Sequence, residues 1–200
     1  MFNTKRSLTL AGAGLVTVLA LGACGSDADD SQSMGGMNGH GSSSATSAQS
    51  SSGGRAGDVM FAQMMIPHHQ QAVEMADLAL ANPSTSPEVE GLAQQIKAAQ
   101  DPEIETMNGW LSAWGAPTSA PMDHGASGMM SEKDMASLES AQGAEFNRLW
   151  LEMMIEHHQG AITMAEDVLA STEDPEVKAL AQAVVEGQEK EITTMQGLLR

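Results

Sequence analysis

From residue 58 onward, apolar side chains return every three or four positions, and the pattern is written twice. Residues 64–111 align with 153–199 once one residue is dropped from the first connecting loop. Met64, Met65, Ile66, His68, His69, Gln70, Ala72, Met75 and Ala76 meet identical residues at Met153, Met154, Ile155, His157, His158, Gln159, Ala161, Met164 and Ala165. Beyond the loop, Pro87-Glu88-Val89 returns as Pro175-Glu176-Val177. Leu92, Gln100, Glu103, Ile104, Met107 and Leu111 return as Leu180, Gln188, Glu191, Ile192, Met195 and Leu199. Such a period predicts helices. ANPSTSPE and STEDPE interrupt it with Ser, Thr, Asp and Pro, which stop one helix and start the next. The predicted helices lie near 58–82, 87–114, 132–171 and 175–199, with Gly143 as a break that would make 132–143 a separate short helix. Few β-branched residues and no Tyr argue against sheet. Neither hairpin can hide its apolar face alone. Joined by the Gly/Pro/Met-rich segment 115–131, the two predict an all-α antiparallel four-helix bundle built from two duplicated helical hairpins.

Helical projection shows what the bundle would bury. At about 100° per residue, Glu145, Glu152, Glu156, Gln159, Thr163 and Glu166 share one side of the third long helix. Phe146, Trp150, Met153, Met154, Ala161, Met164, Ala165 and Val168 share the other, and His157 and His158 fall within that apolar arc. The first helix repeats the arrangement, with His68 in line with Met64 and Met75, and His69 with Met65 and Ala76. Pro67 falls on the polar side, where it should kink the helix just before the His pair. On the second helix, Gln100 and Glu103 interrupt a seam of Val89, Leu92, Ile96, Met107 and Trp114. Gln188 and Glu191 interrupt the matching seam of Val177, Leu180, Val184 and Met195. A carboxylate on a core face costs on the order of several kcal/mol unless it is paired or metal-bound. The duplicated His and Glu residues therefore predict a polar, pseudo-two-fold centre. Two readings of it stand side by side: a metal site, or buried His–Glu hydrogen bonds with methionine as core filler.

Methionine usage favours the metal. The chain has 16 methionines, and some lie where no core can need them. Met34 and Met37 share a Gly/Ser-rich stretch with His40, and Met122, His124, Met129 and Met130 lie in the segment between the hairpins. Thioether and imidazole without thiolate form a soft donor set suited to Cu(I), with imidazole and carboxylate able to hold Cu(II). An oxidising compartment also favours Met over Cys, because thiols there are lost to disulfides.

The N-terminal sequence points to that compartment. MFNTKRSLTLAGAGLVTVLALGAC carries Lys5 and Arg6 before an uncharged run from Ser7 to Ala23, a secretory signal. Leu21-Gly22-Ala23-Cys24 resembles the lipobox of bacterial lipoproteins, which implies cleavage before Cys24 and lipid attachment to it. A plain secretory signal and an uncleaved anchor helix are the alternatives. Residues 1–23 are then a signal peptide, 24–57 a lipid-anchored disordered tether, and 58–200 the duplicated bundle. A Gly/Ser-rich tether of this length spans roughly 30 Å. Loss of the signal leaves 7 basic side chains against 26 acidic ones, a net charge of −19. Such a surface disfavours nucleic acid and anionic lipid and attracts cations.

The pattern F-x-x-M-M-I-x-H-H-Q-x-A-x-x-M-A, followed by Q-x-x-E-I-x-x-M on the next helix, is similar to domain-of-unknown-function family 305. The resemblance covers nearly all of residues 57–200. It implies a ferritin-like four-helix bundle and, from exported members, copper binding and copper resistance. Carried over by motif, the metal ligands are Met64, Met65, His68, His69 and Met75, with Met153, Met154, His157, His158 and Met164. Glu103, Met107, Glu191 and Met195 on the facing helices complete the candidate set. Adjacent histidines on a helix diverge, so a site needs ligands from both hairpins. The expected function is that of an envelope lipoprotein binding copper, Cu(I) above Cu(II), for sequestration, tolerance or transfer. The competing functions are a ferritin-like metal-dependent oxidase and a metal-free envelope interaction module. The di-iron Glu-x-x-His pattern is missing from this sequence, which weakens the oxidase.

Overall fold

A computed structural model of the protein describes residues 45–119 and 128–200, with side chains from Gly54 onward. Five helices follow one another: α1 (Ala45–Ala81), α2 (Pro87–Trp114), α3 (Glu132–Ser140), α4 (Gly143–Leu169) and α5 (Pro175–Leu198). There is no strand among the described residues, and no helix there is long and apolar enough to cross a membrane.

Local chemistry sets most of the helix ends. Ser86 caps α2, its hydroxyl accepting from the Val89 N–H at 3.3 Å, and Pro87 occupies the first turn. Asp174 and Pro175 do the same for α5, with Asp174 Oδ1 accepting from the Glu176 N–H at 3.0 Å. Gly115 ends α2 in the left-handed region, at φ 64°, and lets the Ala116 N–H reach the Leu111 carbonyl at 2.9 Å. Ser131 and Asp134 form a reciprocal capping box on α3. The break at Gly143 is real, because this residue takes φ 61°. Asn147 then ties the start of α4 to the α1–α2 connection, its Oδ1 accepting from the Ser86 N–H at 2.9 Å.

One helix end differs from expectation. Helix α1 begins at Ala45, inside the stretch expected to be a tether. Tertiary contacts explain how helix reaches back past residue 58. Arg55 pairs with Asp174 at 3.4 Å and lies over the Trp114 ring at 4.5 Å, joining α1 to the far hairpin and to the end of α2. The expected signal peptide, Cys24 and the rest of the tether lie outside the described residues. Helix continues through Pro67, which is exposed.

Helices α1 and α2 pack as one hairpin and α4 and α5 as the other, and the hairpins meet chiefly through α1 against α4. The apolar core has two parts. One joins Met75, Ala76 and Ala79 of α1 with Val89 and Ile96 of α2, Phe146, Trp150 and Met154 of α4, and Met195 of α5. The other joins Phe61, Ala62 and Met65 with Met107 and Leu111, Ala161, Met164 and Val168, and Val177 and Val184. The early part of α1 thus shares a core with the late part of α4, so these helices run antiparallel. Each core takes a piece from all four long helices. Between them lie His68, His69, Gln100, His157, His158 and Gln188, all buried.

Candidate metal centre

The central layer is polar and buried. His68 and His157 come from different hairpins, yet their ring centroids are 3.7 Å apart at 37°. The other two histidines turn outward to the second helix of their own hairpin. His69 Nε2 lies 2.8 Å from Glu103 Oε2, and His158 Nε2 lies 2.7 Å from Glu191 Oε2. A neutral ring donating from Nε2 keeps its lone pair on Nδ1. That nitrogen is buried without a hydrogen-bond partner in both His69 and His158. The carboxylate–imidazole pair is the arrangement that orients a histidine toward a metal. Glu103 and Glu191 thus each have one oxygen engaged by a ring.

Burial holds the His157 ring well below the usual imidazole range, helped by the charges that His68, His158 and His69 would carry if protonated. A backbone group of His68 acts in the opposite direction and is outweighed. His157 is therefore neutral, with lone-pair electrons available inside the bundle. The side chains of Gln100 and Gln188 add further buried oxygens that make no hydrogen bond. Among the described residues, no three His, Cys, Asp or Glu side chains converge as a ready-made metal site. A bound ion must draw on thioethers, or on movement of the rings.

The candidate methionines divide evenly about this layer, and Met130, expected to lie outside any core, is buried in the one around Met75. Met65, Met107 and Met164 belong to one core, with Met64 packed against it; Met75, Met153, Met154 and Met195 belong to the other. The repeat relates them across the layer, Met65 to Met154, Met107 to Met195 and Met164 to Met75. The eight candidate methionines are thus two sets of four on opposite sides of the histidines. Buried imidazoles flanked by thioethers suit a soft cation.

Reasoning from the repeat passed over Met60. This residue stands one turn before Met64 on α1 and is 49% exposed. Its aligned partner is Leu149, so matching the two halves discards it. The available signal was its spacing of four from Met64 and eight from His68.

Comparison with known proteins agrees with this architecture. Residues 58–199 match the family model described as Domain of unknown function (DUF305). A candidate secreted protein of that family from Streptomyces coelicolor is 34% identical, with a TM-score of 0.68 over 72% of this chain and 91% of its own. A DUF305 fragment from Deinococcus radiodurans is 36% identical, with a TM-score of 0.66 over 72% and 95%. CopM in its Cu(II)-bound form is 34% identical, with a TM-score of 0.62 over 71% and 95%, and CopM structures with Cu(I) and with Ag are also similar. No curated protein matches. With the doubled His-His helices, the two-hairpin bundle and a family match over most of its length, the chain belongs to the DUF305 family.

Proposed function

We propose that this protein binds copper, Cu(I) in preference to Cu(II), at the layer of histidines and methionines in the middle of its bundle. It holds the ion outside the cytoplasm for sequestration or transfer, without turning over a substrate. The observation that carries this reading is the layer itself: four buried imidazoles, two of them oriented by carboxylates, between two sets of four methionines. Mere bundle register would need neither the orphaned ring nitrogens nor the duplicated thioethers. The binding of copper and silver by CopM, which is similar over most of both chains, supports the same reading. The likeness to a candidate secreted protein supports export. The Cys24 lipobox would then fix the protein to the outer face of the membrane.

The test replaces His68 and His157 together with Gln, which keeps polarity and approximate size and leaves both His–Glu pairs intact. Copper affinity should fall by at least about tenfold, or about 1.4 kcal/mol, while apo stability changes much less. Copper at about a hundredfold excess over its dissociation constant should stabilise the wild type by about 2.7 kcal/mol in thermal melts, and the variant by little. Equal stabilisation of both proteins would place the ion away from these rings.

A further inference from the structure

The two halves of the bundle match in sequence, but their ends are closed differently. At the end where α4 starts, Phe146 and Leu149 stand above Met153, and Leu138 of α3 packs into the same core. At the opposite end the aligned positions are Gly57 and Met60, above Met64. Among the described residues, no counterpart of Phe146 or of α3 fills that space. An open cleft of about 210 Å³ remains there, and Met60, Phe61, Met64 and Met164 are among the residues lining it. Gly57 contributes to the opening, since even a Cβ there would touch only Ser171 Oγ, at 3.8 Å.

Soft ligands descend from this cleft. Met60, Met64 and His68 follow one another at intervals of four along α1, so each stands about 6 Å below the last and on the same face. Met60 is 49% exposed, Met64 is half-buried, and Met164, facing them from α4, is 8% exposed. His68 at the foot of the file lies against His157. The corresponding file in the other half, Leu149, Met153 and His157, begins with a hydrocarbon. We propose that the cleft is the port through which Cu(I) reaches the central layer. Met60 is the capture ligand, Met64 and Met164 form the intermediate station, and the His68–His157 pair is the destination. Each step is a ligand exchange. One thioether or imidazole joins the ion as another leaves, the oxidation state does not change, and no proton moves. Thioethers suit this task because they bind Cu(I) while remaining neutral and weakly hydrated.

The inference rests on the copper-binding reading, and kinetics separate the two. Met60→Leu installs the residue found at position 149 and keeps the apolar surface. The probe is Cu(I) supplied as its bicinchoninate complex, followed by stopped-flow absorbance, beside an equilibrium competition with the same chelator. Transfer into the variant should slow by about tenfold or more, while equilibrium affinity changes by less than about threefold, since capture and release slow together. Leu149→Met, the control at the closed end, should leave the rate within about twofold. An unchanged rate in Met60→Leu overturns the port. So does a loss of affinity as large as the loss of rate, which would make Met60 a ligand of the resting site. If wild-type protein takes no copper from the chelator at any ratio, the copper reading itself fails.

Discussion

Each buried imidazole in the central layer must be neutral or share its charge, and His157 has the least help. His69 and His158 each lean on a carboxylate, whereas His157 faces other histidines and hydrocarbon. Its proton affinity is depressed in the fold and ordinary in the unfolded chain. Between those two values the unfolded state binds the extra proton, so acid favours unfolding. The contribution of His157 to apo stability is complete above the ordinary imidazole range and is lost as pH falls below it. The slope approaches about 1.4 kcal/mol per pH unit for one proton. Chemical denaturation of metal-free protein between pH 7 and pH 5 should show this loss, and His157→Gln should flatten it. A wild-type midpoint indifferent to pH would mean that the ring takes up its proton as readily in the fold as in the unfolded chain. The sequence disclosed these four histidines and both glutamates because repetition marked them and projection placed them inward. It did not disclose the even split of the eight candidate methionines. A projection gives the direction of a side chain around a helix, but which core it enters depends on how the hairpins are set end to end. Met60 was hidden for the opposite reason, since the repeat that exposed its neighbours pairs it with a leucine.

At the scale of elements, the helices were legible from period and caps, including the break at Gly143. The upstream reach of α1 was not, because it depends on Arg55 meeting Asp174 and Trp114, which are remote in sequence. The linker before α3 was opaque for the same reason. Gln71 on α1 grips it with both ends of its amide, donating to the Met130 carbonyl at 2.9 Å and accepting the Met130 N–H at 2.7 Å. Gly128 permits that grip. It takes φ 80°, and a Cβ there would lie 2.6 Å from the Glu156 carbonyl oxygen and 3.0 Å from Gly160 Cα. Gly128→Ala should therefore cost at least about 1–2 kcal/mol from backbone conformation alone, and it should expose Met130 as the linker lifts. Gly109→Ala makes a matched control. That helical glycine faces open space, and alanine should stabilise it by about 0.5–1 kcal/mol. Thermal melts, with hydrogen exchange at residues 128–131, distinguish a lifted linker from a general loss of structure.

At the scale of the molecule, a net charge of −17 over the whole sequence attracts cations without selecting among them, so under the proposed function selectivity falls to the thioethers inside. The proposed anchor would keep that surface beside the membrane, and Cys24→Ala should move the protein to the soluble exported fraction. Retention of this variant in the membrane would point instead to an uncleaved anchor helix. The crossed cores set how the bundle holds together. Each is walled by pieces of both hairpins, so a cut in the linker would divide the chain into halves that each carry two half-finished cores and complete neither. Such fragments would have to recombine to regain structure, and the intact chain should melt in a single transition. The histidine layer lies where the two cores meet, so any opening that separates the hairpins dismantles the proposed copper site and both cores in the same motion.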